Sequence, residues 1–360
     1  MARPSHMVVD LGALIHNYQW ACQLAPKAQT MAVVKANAYG HGAVACATAL
    51  EPYAPAFGVA CIEEAIELRK AGISKPIALL EGTFTPDEVT VAAEQDFWVM
   101  VEDPTQVHAI LNAHLSKPLT VWIKVDTGMH RLGLSPQKVG GYYQQLLNSP
   151  NVSNHIVFAT HFASADETNN SFTSVQLKVF METTAPFNQP VSLANSPAIM
   201  AWPEAHGDWN RAGFMLYGNS PLDAHHPSSE GLKPVMQMCS AVTSLRHIDA
   251  GETVGYAQKW RAERPSTIAT VAIGYGDGYP RNAESGTPVM VNGQRAGIAG
   301  RVSMDMITVD VTDLNDVNIG DPVCLWGKGL NINEVASHAA TIGYELMTRV
   351  TQRLPIKYTQ

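Results

Sequence analysis

The residues of this chain best placed for covalent chemistry lie at the ends of apolar runs. In VVKANAYGHG (33–42), Lys35 closes such a run and is followed by small residues. Partial desolvation favours the neutral form of an amine, the form that attacks an aldehyde. A surface lysine at a strand end is the plain alternative, and for Lys35 alone it is the commoner case. In WIKVDTGMHRLG (122–133), Lys124 and Asp126 share one face of a strand and Arg131 follows a glycine turn. A guanidinium there can grip a carboxylate with two parallel hydrogen bonds; the plainer reading is an ion-pair network capping the strands, with Lys124 paired to Asp126. His161 in THFASAD (160–166) could stack on a ring or orient a partner, although a lone strand-end histidine is more often structural. Ser196 in ANSPAIM (194–200) and Gly213-Phe214 in RAGFMLYG (211–218) open turns or helices, where backbone N–H groups bind phosphate; ordinary cap chemistry looks the same. Tyr256 (VGYAQKW, 254–260), Tyr275 and Tyr279 (IGYGDGYPR, 273–281) and Tyr344 (TIGYELMTR, 341–349) flank glycines or turns. Each can put its hydroxyl into a cleft or simply pack. The plain alternatives weaken together, because lysine, arginines, histidine and tyrosines all sit at strand ends or turns.

The elements that must position them alternate. MAVVK (31–35), AFGVA (56–60), PIALLEG (76–82), DFWVMVED (96–103), TVWIKVD (120–126), HIVFATHF (155–162) and VSLAN (191–195) are short and apolar on both faces, as buried parallel strands are. Between them, CIEEAIELRKAG (61–72) and PDEVTVAAEQ (86–95) have helical spacing and acidic starts. Seven such strands, with a weak eighth near 208–211, predict a (β/α)8 TIM barrel over 11–224, although periodicity alone also allows a doubly wound open sheet. The stretch PLDAHHPSSEGLKP (221–234) reads as a linker. Beyond it, TIATVAIG (267–274), TPVMVNGQRAGIAG (287–300), ITVDVTD (307–313) and DPVCLWG (321–327) read as strands, with Asn292-Gly293 as a tight hairpin turn. Residues 225–360 are therefore expected to form a mostly-β domain.

Composition narrows the function classes. The 360 residues are 46% hydrophobic and 16% charged, which suits a large folded core and argues against disorder. The net charge is -8 and no basic run or basic-aromatic stripe occurs, so a nucleic-acid partner is not expected. No run of about 18 apolar residues occurs, so no membrane span is expected. The N-terminal residues lack the continuous apolar stretch of a signal peptide. The five cysteines are separated and form no CxxC pair, which argues against a disulfide framework or zinc site and fits a reducing cytoplasm.

At this point the sequence resembles bacterial alanine racemase along nearly its whole length. VVKANAYGHG is similar to that family's pyridoxal phosphate (PLP) lysine signature, a specific motif. KVDTGMHRLG, HFASAD, NSPAI, RAGFMLYG, VGY, IGYGDGYPR and GRVSMDM resemble its other blocks, in order. The resemblance implies a barrel plus a C-terminal β domain, with residues 1–10 pairing with the latter. It implies that Lys35 carries PLP and that Tyr39, Ser196, Gly213, Phe214 and Tyr344 hold the phosphate, with Asn195 among the cofactor contacts. Arg211 would face the pyridine nitrogen with His161 beside it. Arg131 would bind the cofactor's phenolic oxygen and the substrate carboxylate. Tyr256, the second base, and Met304, through its backbone at the substrate carboxylate, would come from the partner subunit of a homodimer with shared active sites. Asp166, Tyr275, Arg281 and Arg301 would line the entrance. Lys124 would be carbamylated, turning a buried cation near Arg131 into an anion that holds it.

The implied reaction interconverts L-alanine and D-alanine, supplying D-alanine for peptidoglycan. Two bases on opposite faces of Cα suffice, here Lys35 and Tyr256. A free phenol titrates near pH ~10, so such a base needs positive charge nearby, with His161 and Arg211 as its expected source. A PLP-barrel decarboxylase is expected to place an acid, not Arg211, at the pyridine nitrogen. A non-catalytic PLP-binding protein has no need of the β domain carrying Tyr256. A broad-specificity racemase on the same fold is the nearer rival.

Overall fold

The protein is described here from a computed structural model, which covers residues 3–222 and 226–360. The expected domain boundary between 224 and 225 lies outside the described residues. Two compact units are present: Leu14–Leu232, and the residues up to Ala13 together with Lys233–Gln360.

Strand β1 (His6–Asp10) belongs to the second unit. The first unit then runs through β2 (Gln29–Val33), β3 (Phe57–Val59), β4 (Ile77–Leu79), β5 (Phe97–Val101), β6 (Leu119–Lys124), β7 (Val152–Ala159), β8 (Val191–Ser192) and β9 (Trp209–Ala212). All neighbours pair in parallel, and β2 pairs with β9, so the sheet closes into an eight-stranded barrel rather than an open sheet. The weak eighth run is therefore a full member. Helices Ile62–Lys70 and Pro86–Glu94 lie where the spacing predicted them, with Glu63, Glu64, Asp87 and Glu88 in their first turns, where carboxylates favour the positive helix end.

Inside the barrel, side chains two residues apart point the same way and stack in layers. One apolar cluster holds Met31, Ala56, Ala78, Met100, Trp122, Val157 and Ala159, with Trp98 and Trp209 packed against it. The three indoles sit 5.4–5.8 Å apart, centroid to centroid. A buried aromatic side chain removes roughly 200 Å² from water, on the order of 5 kcal/mol at about 25 cal/mol per Å². This floor is thus firmly held. Two residues beyond Met100, Trp122, Ala159 and Trp209 come Glu102, Lys124, His161 and Arg211, at or just past the ends of β5, β6, β7 and β9. The strand period therefore delivers four polar side chains to one level above a hydrophobic floor, at the C-terminal ends where barrels carry their sites.

The second unit continues with β10 (Met236–Ile248), β11 (Thr253–Val254), β12 (Trp260–Arg261), β13 (Ser266–Val271), β14 (Pro288–Val291), β15 (Gln294–Ile298), β16 (Ile307–Asp310), β17 (Pro322–Trp326) and β18 (Ile356–Thr359). Its main sheet has the order β13-β16-β15-β14-β17-β10-β1-β18, and β10 also pairs with β13. Asn292 and Gly293, both with positive φ, make the β14–β15 turn, which requires left-handed backbone at both positions. Strand β1 pairs antiparallel with β10 and parallel with β18. Cys239 lies opposite Cys324 in the β10–β17 ladder, a proximity hidden by 85 residues of separation, and both thiols are free. Among the described residues no helix is long and apolar enough to cross a membrane.

Candidate active site

Lys35 leaves β2 at the barrel's C-terminal end, one third exposed, with Nζ 3.7 Å from Glu81 Oε1. It is less enclosed than its strand-end position suggested. After it the chain does something rare for L-residues: Ala36, Asn37, Ala38 and Tyr39 all have φ between 51° and 53°. Each such residue costs about 1–2 kcal/mol, so this left-handed turn persists only because its surroundings enforce it. Ala38 N–H donates to Val34 O at 2.8 Å and Gly40 N–H to Ala36 O at 3.0 Å. Asn37 Oδ1 accepts from Ala43 N–H, and Glu64 clamps the entry by accepting from Ala36 N–H at 2.7 Å and Ala60 N–H at 2.8 Å. Beneath the turn, His41 stacks on Tyr217 at 4.5 Å and its Nδ1 faces the carbonyls of Ala38 and Tyr39.

The turn brings Tyr39 to Gly213. A Cβ on Gly213 would sit 2.7 Å from the Tyr39 hydroxyl, so the approach requires glycine. Burial pushes the Tyr39 phenol up to about 12. Ser196 Oγ accepts from Gly213 N–H at 3.0 Å and Met215 N–H at 3.3 Å. Asn195 caps the short helix Ser196–Ala201 through Ala198 N–H, and its amide nitrogen lies 3.4 Å from His161 Nε2. Phe214 is buried beside them. Tyr39, Asn195, Ser196, Gly213 and Phe214 therefore converge.

In the polar layer Arg211 is buried and pinned through Nη1 to Ser192 O (3.0 Å) and Oγ (2.6 Å), and through Nη2 to Thr160 O at 2.6 Å. Burial lowers its pKa to about 10, against the opposing pull of Glu102, so it stays charged near neutral pH. His161 Nδ1 lies 3.4 Å from Arg211 Nη2. Burial first, then the charges of Arg211, Lys124 and Arg131, hold this imidazole well below its ordinary value. The expectation that His161 and Arg211 together provide positive charge is corrected: His161 is neutral, and Arg211 alone of the two is a cation.

Lys124 also departs from its expected surroundings. Its Nζ lies 2.6 Å from Glu102 Oε1, both side chains nearly inaccessible. Asp126 is not its partner. Strand β6 ends at Lys124, and Asp126 turns back to cap its own loop, accepting from Gly128 N–H and His130 N–H at 3.0 Å and facing His130 Nδ1 at 2.9 Å. Burial lowers the Lys124 pKa and raises that of Glu102, each opposed by the partner's charge. Glu102, just past the end of the adjacent strand, is thus the acidic neighbour of Lys124. Glu102 went unnoticed in the sequence, yet its same-face spacing from Met100 was a signal for it. Arg131 is exposed and lines a recess with Lys124, Thr160 and His161. Asp166 is exposed on the loop after β7.

In the second unit, Tyr275 N–H donates to Ser303 O at 3.0 Å and Gly276 N–H to Met304 O at 2.9 Å. A Cβ on Gly255 would lie 3.6 Å from Arg301 N. Tyr256, Tyr275, Arg301 and Met304 thus share one loop cluster, with Tyr256 68% and Met304 53% exposed. Arg281 is exposed, and Tyr344 lies on helix Gly343–Thr348. Tyr279 takes the plain role: it is buried and stacks on Trp326 at 5.8 Å.

A parallel barrel with lysine, arginine and histidine gathered at its strand ends defines a barrel enzyme whose chemistry lies at the C-terminal mouth. Residues 9–221 match the family model for the alanine racemase N-terminal domain, and residues 235–358 that for the C-terminal domain. The chain belongs to the alanine racemase family. It is 49% identical over 358 residues to an alanine racemase of Chromohalobacter salexigens, covering 99% of this chain and 98% of that one. It is 48% identical over 356 residues to a catabolic alanine racemase of Pseudomonas putida, covering 99% of each. The crystal structure of a biosynthetic alanine racemase from Pseudomonas aeruginosa superposes with a TM-score of 0.96 at 47% identity, covering 99% of this chain and 100% of that one.

Proposed function

We propose that this protein carries PLP on Lys35 and interconverts L- and D-alanine by two-base proton transfer at Cα, supplying D-alanine for peptidoglycan from the cytoplasm. Five free thiols support the reducing location. The observation that carries the reaction is Arg211, a buried cation fixed by carbonyl oxygens at the position that the resemblance gives to the pyridine nitrogen's partner.

The residues present fit the cofactor. Lys35 offers a primary amine at the barrel mouth. The missing Cβ of Gly213 leaves room for the Tyr39 hydroxyl. Ser196 Oγ accepts two backbone N–H groups and keeps its own proton to donate to a phosphate oxygen. Phe214, Asn195 and Tyr344 complete the proposed cofactor contacts. When bound, PLP acidifies the substrate Cα–H by spreading negative charge into its ring.

The chain's own residues do the rest. Lys35 Nζ exchanges a proton on one face of Cα. The Tyr256 hydroxyl, from the partner subunit of a homodimer, exchanges one on the other; its exposure leaves it available to a second chain. Arg131 grips the substrate carboxylate, with the Met304 backbone of the partner subunit. Arg211 has no site to accept a proton, so charge is not drawn off permanently and side reactions such as transamination are limited. His161, neutral, spaces Arg211 from Asn195. Asp166, Tyr275, Arg281 and Arg301 line the approach. The test follows optical rotation of a panel of L-amino acids with and without added PLP, together with growth rescue of a D-alanine auxotroph. Loss of rotation for L-alanine is expected; decarboxylation without racemisation would overturn the reading.

A further inference from the structure

We infer that Arg3, locked on the buried carboxylate of Asp277, is a positioning residue that sets the loop whose Met304 backbone receives the substrate carboxylate. The inference rests on the proposed role of Met304 in a site shared between two subunits.

Asp277 lies two residues after Tyr275 in IGYGDGYPR and is 0% exposed. A carboxylate so enclosed needs compensation, and it has several sources. Arg3 donates to it with both ends of its guanidinium, Nη1 to Oδ1 at 2.6 Å and Nη2 to Oδ2 at 2.5 Å. This fork fixes direction as well as distance. Gly274 N–H donates to Oδ2 at 3.0 Å, and Arg353 Nε lies 3.5 Å from Oδ1. Both arginines also reach Asp305, the residue after Met304. Arg3 Nη2 faces Asp305 O at 3.4 Å, and Arg353 Nη2 donates to Asp305 Oδ1 at 2.7 Å. The two cations therefore staple the turn 274–278 to the loop 303–306.

The staple decides where one N–H points. Towards a carboxylate a backbone can offer only its N–H. The N–H of Met304 and the carbonyl of Ser303 belong to one planar trans peptide unit. Tyr275 N–H holds that carbonyl at 3.0 Å and so aims the Met304 N–H the opposite way. Gly276 N–H takes the next carbonyl, Met304 O, at 2.9 Å, and Ser303 N–H closes the loop on Met306 O at 3.0 Å. A Cβ on Gly274 would run into Ser303 O, and one on Gly276 into the Arg353 guanidinium, so the approach is close throughout. Tyr275 and Met304 are themselves exposed, so apolar burial anchors neither side. The buried ionic fork of Asp277 and Arg3 does. Arg3 thus acts on substrate through Asp277 and the peptide of Met304.

The test uses the full-length, PLP-loaded enzyme. Arg3→Met keeps an unbranched side chain and removes the fork. It should raise KM for alanine about 10-fold with kcat changed less than about 3-fold, as expected for a misplaced carboxylate contact. Arg3→Lys should recover part of that KM, since an ammonium restores the charge without the fork. Hybrid dimers separate positioning from a general loss of fold. In a hybrid of Lys35→Ala and Tyr256→Phe chains, the one intact site takes Tyr256 and Met304 from the Lys35→Ala chain. Arg3→Met added to that chain should raise the hybrid's KM about 10-fold; added to the other chain it should leave KM within about 2-fold. Equal KM values in the two hybrids would overturn the inference. Hydrogen exchange of the enzyme without PLP reads the same device apart from activity. The Tyr275 and Gly276 amides should exchange about 10-fold faster in Arg3→Met, with the amides of β13 unchanged. Unaltered exchange at both would equally overturn it. Should Arg3→Met not fold, Arg3→Lys carries the same comparisons. Hybrids without any Arg3 change that stay inactive despite subunit exchange would sink the shared site, while the exchange result still decides for Arg3.

Discussion

Arg211 Nη2 and His161 Nδ1 lie 3.4 Å apart, and the guanidinium has only protons to offer, so the imidazole nitrogen facing it must present its lone pair. Burial first, and then this contact with the neighbouring cations, favour the neutral form of His161 where an ordinary histidine titrates. The pH profile of kcat/KM should therefore carry no limb from His161 between about pH 6 and 8. His161→Gln should lower activity by disturbing Arg211 but leave the shape of the profile unchanged over that range. A limb that disappears in His161→Gln would show that the ring does titrate there.

His41 makes the sign of an acid effect on stability explicit. Burial lowers its pKa from 6.5 to about 4, against the raising effect of the Tyr39 and Ala38 carbonyls. Between those values the unfolded chain binds the proton and the folded chain does not, so stability is fully present above about pH 6.5 and lost as pH falls towards about 4. The lost contribution is on the order of 3 kcal/mol. Urea unfolding at pH 7.5 and pH 5 should show the drop, and His41→Gln should flatten it while lowering stability at both. An equal drop in both proteins would mean that other groups govern the acid response.

Gly213→Ala places a methyl 2.7 Å from the Tyr39 hydroxyl. The phenol must move, and the left-handed turn that aims it has little freedom to follow. Affinity for PLP should fall about 10-fold or more, roughly 1.4 kcal/mol, in a barrel that still folds. Equilibrium dialysis of PLP against circular dichroism separates the two effects; unaltered affinity would remove Tyr39 from the cofactor contacts.

Lys35→Ala and Tyr256→Phe should each lower racemisation by a factor of about 10³ or more, and Tyr256→Phe should retain PLP. Mixing the two inactive proteins should restore part of the activity, since a hybrid dimer with shared sites contains one intact pair of bases. No recovery despite demonstrated subunit exchange would place both bases in one chain. Borohydride treatment of the wild type should fix the cofactor on the peptide containing Lys35, and label on another lysine would reject that assignment.

Much of the barrel was legible because its signal is local. Runs such as TVWIKVD are apolar over a few residues, and the strand period alone sets Lys124 on the same face as Trp122. The motif around Lys35, the Asn292-Gly293 turn and the acidic helix starts are likewise short-range chemistry written in neighbouring residues. Closure of the barrel was not legible, because it depends on β2 meeting β9 across 180 residues, a pairing for which the weak run near 208–211 gives little local sign. The partner of Lys124 was hidden for a related reason. Asp126 stands on the nominal same face, but the strand ends before it and its carboxylate satisfies its own loop, while Glu102 arrives from the adjacent strand in register. Burial then decided what composition could not: whether His161 is charged depends on how much water and how many cations surround it. Local pattern determined which elements form and which side chains they present; only tertiary packing, by setting distance and dielectric, decided which charges meet and which survive.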